Sequence, residues 1–135
     1  MSRPKTQPIA LSIGSLRLEG LFYPPIMDRG VVYVYAGYLR TGQWDAKVVW
    51  RDRAAHISLR DGRKAVIPSG EALLVLDGNT CALKTPLRVY RSRAYLPLDA
   101  WEILTGWACR WLPESRTVSL DPAPAPKTAM TAGRP

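Results

Sequence analysis

One segment of this chain occurs twice, and that duplication narrows the available folds more than any other feature of the sequence. Trp50 through Leu59 returns as Trp111 through Leu120, a displacement of 61 residues. The same displacement carries Pro25 onto Pro86, and Ala46-Lys47-Val48 onto Trp107-Ala108-Cys109. Each copy of a repeat this long is one supersecondary unit that buries its apolar face against the other. The duplication speaks to architecture and says little about chemistry.

The local pattern inside the copies is that of short strands. Ile9 to Ile13 alternates apolar and small residues, Leu16 to Gly20 reads as a second strand after the Gly14-Ser15 turn, and Val31 to Tyr35 is the strongest β run of the first half. Lys47 to Trp50 and His56 to Leu59 read as a hairpin, and Ala108 to Trp111 with Thr117 to Leu120 as its counterpart. Asp61-Gly62 turns the chain, Leu73 to Leu76 ends at Asp77-Gly78, and Leu87 to Tyr90 pairs with Arg93 to Leu96 around Arg91-Ser92. Leu98, Trp101 and Leu104 share one helical face, with Asp99 near the start and Gly106 placed to end the helix. By duplication a short, imperfect helix is expected within Gly37 to Trp44, weakened by two glycines. The expected class is α+β, with antiparallel strands and hairpins packed around two short helices.

A chain of 135 residues suits a single domain. The repeat places it over residues 9–120, between an N-terminal arm (1–8) and a Pro/Ala-rich flexible tail (121–135). A hydrophobic content of 47% and a mean hydropathy of −0.12 suit a soluble globular chain. No run approaches the roughly 18 apolar residues of a membrane span. The basic start is followed by an apolar stretch broken at Ser12 and Gly14, which lacks the continuous core of a signal peptide. Cytoplasmic location at synthesis is the expectation, with a surface or virion-like assembly left open.

The motifs around the second copy resemble a known family. Leu76-Asp77-Gly78, Pro86-Leu87, Arg93 through Leu98, Gly106, Trp111 and Arg116 through Leu120 are similar to the copper amine oxidase N-terminal-like domain, often called a stalk domain. Leu96-Pro97-Leu98-Asp99 stands where the family has Val-Pro-Leu-Arg, with the arginine replaced. In the first copy Ala36 takes the proline position, Asp45 the glycine position, and Val48-Val49-Trp50 keeps the Val-x-Trp element. The resemblance implies a non-catalytic α+β appendage of secreted or surface proteins, without an agreed ligand. It implies no oxidase: such an enzyme needs histidine ligands for copper and a modified tyrosine in a separate catalytic domain. His56 is the one histidine, and no Asn-Tyr-Asp or Asn-Tyr-Glu occurs.

Other chemistry finds little support. The glycines form no Walker or dinucleotide fingerprint, zinc spacing is absent, and the carboxylates are scattered. His56 reads as a strand residue rather than a base, because no nucleophile or orienting partner is placed beside it. Cys81 and Cys109 form no Cys-x-x-Cys pair and read as buried thiols, with a disulfide between them left open for a secreted chain. No catalytic, metal or cofactor-binding residue is therefore assigned.

Binding is better represented. Of the five tryptophans, Trp50, Trp101 and Trp111 are assigned to the core. Trp44 and Trp107, with Tyr33, Tyr35, Tyr38, Tyr90 and Tyr95, are candidates for an aromatic recognition surface, of which Tyr38, Trp44 and Trp107 are singled out. The formal charge of +8 adds candidate polyanion contacts at Arg51, Arg53, Arg60, Arg63, Lys64, Arg88, Arg91 and Arg93. The leading expectation is a structural or protein-interaction module that assembles with a protein partner or as an oligomer. The alternative is a basic protein that binds nucleic acid or another polyanion.

Overall fold

A computed structural model of the chain describes residues 9–18, 20–41 and 43–122. Residues 1–8 and 123–135, which hold the expected arm and most of the expected tail, lie outside the described residues. Asp121, assigned to the tail, closes the last strand instead.

The elements run in chain order as β1 (Ala10–Ile13), β2 (Leu16–Leu18), β3 (Ile26–Asp28), β4 (Val31–Tyr35), a 3-10 helix (Ala36–Arg40), β5 (Lys47–Arg51), β6 (Ala54–Ser58), β7 (Lys64–Pro68), β8 (Leu73–Leu76), β9 (Asn79–Ala82), β10 (Arg88–Tyr90), β11 (Arg93–Pro97), α1 (Leu98–Thr105), β12 (Ala108–Leu112) and β13 (Thr117–Asp121). Among the described residues they build three sheets, ordered β12-β13-β1-β2, β10-β11-β4-β3 and β5-β6-β7-β8-β9. Every ladder is antiparallel except β1 with β13, whose parallel register (Leu11 beside Val118) ties the first hairpin to the last. The expected mixture of antiparallel hairpins and helix is thus present, with strand predominating.

One of the two expected helices is an α-helix. Asp99 receives the Ala100 N–H at its first turn and Gly106 closes it in the left-handed conformation, its N–H donating to the Glu102 carbonyl. The other expected helix is a single 3-10 segment, Ala36–Arg40, ended by extended Thr41. Gly37 weakens helix propensity there.

Strands β3, β7 and β9 have no counterpart in the sequence reading. β3 is three residues long and follows a Pro-Pro pair, while β9 carries no apolar alternation and exists through its register with β8. β7 does alternate, with Ala65 and Ile67 buried, but Pro68 ends it within five residues.

The turns do much of the positioning. Arg29-Gly30, Asp52-Arg53, Asp77-Gly78 and Arg91-Ser92 are two-residue links with positive φ at both positions, the geometry whose twist matches a hairpin. Two of these links lack glycine. Left-handed backbone costs a side-chain-bearing residue roughly 1 kcal/mol or more. Arg53→Gly, at φ 60, is therefore expected to raise stability by about 1 kcal/mol in urea unfolding; no change, or a loss, would show the turn to be unstrained.

The core is one cluster. Val32 and Val34 of β4, Leu96 of β11, Ile57 of β6, Ile67 of β7, Leu74 of β8 and Leu120 of β13 meet Trp101 and Leu104 of α1. The Trp101 indole N–H donates to the Val34 carbonyl at 3.2 Å, which fixes the helix against β4.

Candidate functional site: a tyrosine and arginine face

Strand alternation turns Val32 and Val34 into the core and leaves Val31, Tyr33 and Tyr35 on the opposite face of β4. The β11 register sets Tyr95 directly across from Tyr35, and the β10 register sets Arg88 across from Tyr95 and Tyr90 across from Arg93. One face of the sheet β10-β11-β4-β3 is thereby filled with tyrosine and arginine.

The rings form a connected array. Tyr35 lies 4.8 Å from Tyr23, 5.3 Å from Tyr38 and 5.7 Å from Tyr95, and Tyr95 lies 5.9 Å from Tyr90. Phe22 meets Tyr23 edge-on at 4.7 Å and stands 86% exposed at the end of the array. Tyr33 and Tyr95 are buried, so the accessible aromatic surface comes from exposed Phe22 and Tyr90 and half-buried Tyr23, Tyr35 and Tyr38.

Arginines are fixed against these rings. Arg93 donates to the Tyr23 hydroxyl at 2.6 Å with its guanidinium 4.7 Å from that ring, and Arg91 sits 5.4 Å from the Tyr90 ring. Arg88 pairs with Asp28 at 2.6 Å across the sheet. Tyr38 donates its hydroxyl to the Tyr23 carbonyl, and burial, with Tyr95 nearby, pushes its pKa up to about 12. Burial and the neighbouring Tyr35 also raise Tyr95. The hydroxyls are therefore hydrogen-bond groups at neutral pH, not bases.

Gly37 carries a further constraint. A Cβ at this position would collide with the Tyr35 ring, so the ring rests against bare backbone. Gly37→Ala is expected to swing Tyr35 out of the array, at a cost of about 1–2 kcal/mol, with a change in near-ultraviolet circular dichroism. An unaltered aromatic spectrum would contradict that placement.

The residues singled out from sequence fall in several places. Tyr38 joins the array. Trp44 does not: it is 9% exposed and packs on Trp101 and Trp107 at 5.4 and 5.1 Å, so it serves the core rather than a surface. Trp107 is half-buried and borders a separate groove of about 540 Å³ with Ile13, Leu16 and Leu18. Trp50, assigned to the core, is 46% exposed on the edge strand β5. Trp111 is half-buried beneath Arg116.

The basic candidates do not make one patch. Arg88, Arg91 and Arg93 share the β10–β11 hairpin. Arg51 ends β5 and Arg53 lies in the β5–β6 turn, while Arg60, Arg63 and Lys64 lie at the other end of β6. Several are already engaged: Arg51 with Asp52, Arg63 with Asp61, and Arg60 with the Gln43 carbonyl. Lys64 is exposed, and its backbone N–H donates to Asp77.

Phe22, Tyr23 and Arg40 escaped the sequence reading. The Phe22-Tyr23 pair before Pro24-Pro25 is the signal that was present. His56 is half-buried in β6, its Nε2 3.2 Å from the Arg51 carbonyl, and among the described residues no group of three His, Cys, Asp or Glu is placed to hold a metal. Also among the described residues, no helix is long and apolar enough to cross a membrane.

Comparison with family models, with curated proteins and with solved structures finds no match to this chain.

Proposed function

We propose that this protein is a non-catalytic interaction module that assembles with a protein partner, or with further copies of itself, through its tyrosine and arginine face. One observation carries the reading: Tyr23, Tyr35 and Tyr90, with Arg91 and Arg93 held against two of those rings, form a pre-organised and accessible surface. Tyrosine and arginine supply large contact area and oriented donors at little entropic cost, and they dominate the energetics of protein interfaces. We further propose that β3 to β6 and β10 to β13, each a hairpin, a helical segment and a second hairpin, are unequal copies of one stalk-like unit.

Sedimentation of the full chain, alone and with extract of the cells that make it, tests the reading. The expected result is a protein-containing complex, or an oligomer, that is lost in a Tyr90→Ala, Arg91→Ala double variant whose thermal unfolding is unchanged. A strict monomer that recovers no protein overturns it.

A polyanion-binding role is favoured by a different observation, the charge of +8. It requires retention on heparin or DNA that falls steeply with salt; no binding at about 50 mM salt removes it.

A further inference from the structure

Beside the tyrosine and arginine face lies a cavity of about 120 Å³ between the 3-10 helix, β5 and the β10–β11 turn. Tyr35 and Trp50 contribute its aromatic walls, and Arg40, Ser92 and Arg93 its polar groups. Two features suit it to an anionic group. Among the described residues it is lined by two guanidiniums and no carboxylate, whereas Arg51, Arg63, Arg88 and Arg110 each face an aspartate. Both guanidiniums are also anchored by neutral oxygens, Arg40 by the Val48 carbonyl at 2.6 Å and Arg93 by the Tyr23 hydroxyl at 2.6 Å. Each anchor fixes direction and, among the described residues, no acidic group offsets the charge, while the other N–H donors of the fork stay in place.

The cavity opens beside an unpaired strand edge. Arg51 and Ala54 flank a two-residue turn and form its hydrogen-bonded pair, so the pairs alternate from there. Val48 and Trp50 therefore direct their backbone groups away from β6. The Val48 carbonyl is taken by Arg40, which leaves the Val48 N–H and both groups of Trp50 facing the open edge. Val49 and Trp50, 51% and 46% exposed, present apolar side chains along the same strand.

We propose that this edge and cavity receive an acidic peptide: an extended segment adds to β5 through Val48 and Trp50, and one of its carboxylates enters the cavity between Arg40 and Arg93. A strand satisfies the open backbone groups and a carboxylate matches the guanidinium fork. A nucleobase would use the aromatic walls but not the edge. The inference names the chemistry of the partner in the protein-binding reading above and rests on that reading.

Two-dimensional NMR of the full chain tests it, titrated with a blocked heptapeptide of alternating valine and glutamate, with the same peptide carrying glutamine, and with oligothymidylate. The glutamate peptide is expected to shift the Val48 and Trp50 amides and the Arg93 Nε–H. Its affinity should fall about tenfold for the glutamine peptide and for Arg93→Gln or Arg40→Gln, with partial recovery in Arg93→Lys. Equal binding of the two peptides, no shift up to about 5 mM peptide, or stronger engagement of the same amides by oligothymidylate would each overturn it. A chain that still forms its Tyr90-dependent complex while failing this titration would refute the cavity alone and leave the wider reading standing.

Discussion

Trp101→Ala is expected to cost about 3–5 kcal/mol, a large share of the roughly 5–15 kcal/mol by which a domain of this size is stable. The side chain is fully buried on α1, stacks edge-on against Trp44 at 5.4 Å and donates its indole N–H to the Val34 carbonyl. Truncation leaves a ring-sized void and removes the contact that ties the helix to β4. Trp101→Phe should cost less, since it keeps most of the volume and loses the hydrogen bond. Trp50→Ala should cost under about 1 kcal/mol, because nearly half of that residue is already in water. Urea unfolding of the three variants checks the order. Equal losses for Trp50→Ala and Trp101→Ala would place Trp50 inside the core and contradict its exposed position on β5.

Stability is also expected to fall steeply in alkali. Burial, helped by the nearby Glu102 and Asp121 carboxylates, pushes the Cys109 thiol from its ordinary 9.0 up to about 12. Between those values the unfolded chain has released a proton that the folded chain still holds, so rising pH favours unfolding. The contribution is complete below pH 9 and gone above pH 12. A shift of that size corresponds to about 4 kcal/mol unscreened and nearer ~2 kcal/mol once solvent access is allowed for. Tyr38, raised from 10.0 to about 12, acts in the same direction over its own window. Urea midpoints at about pH 8 and about pH 11 measure the loss, and Cys109→Ala should flatten the profile. An unchanged slope in that variant would show that the thiol is not the group responsible. At neutral pH both thiols are free, and a thiol reagent should label half-buried Cys81 well before Cys109.

Much of this architecture is written locally. Asp77-Gly78 and Arg91-Ser92 turn the chain where their flanking β runs demand it, and Gly106 ends α1 by a backbone conformation that glycine adopts without strain. What escaped the sequence is what depends on pairing with another strand rather than on a pattern of its own. β9 has no pattern of its own and is held by register with β8. The parallel pairing of β1 with β13 spans nearly the whole domain. Trp50 and Trp111 look equivalent in sequence and both stand on edge strands, yet Trp50 is exposed while Trp111 is half-buried beneath Arg116, and no local signal separates the two.

The site followed the same division. Alternation in Val31 to Tyr35 and Arg93 to Pro97 placed the tyrosines on one face, so that half of it was legible. Arg40 and Tyr23 reach the face only through tertiary contacts, with Val48 and with Arg93. Trp44 looked free because its neighbours in sequence are polar, whereas its neighbours in space are Trp101 and Trp107.

Site-specific photocrosslinking tests the central claim most directly. A benzoylphenylalanine at position 90, on the tyrosine and arginine face, is compared with one at position 80, exposed on β9 of a different sheet, in the cells that make the protein. Protein adducts at position 90 and none at position 80 are the predicted result. Adducts to nucleic acid at position 90, or no adduct there at all, would contradict it.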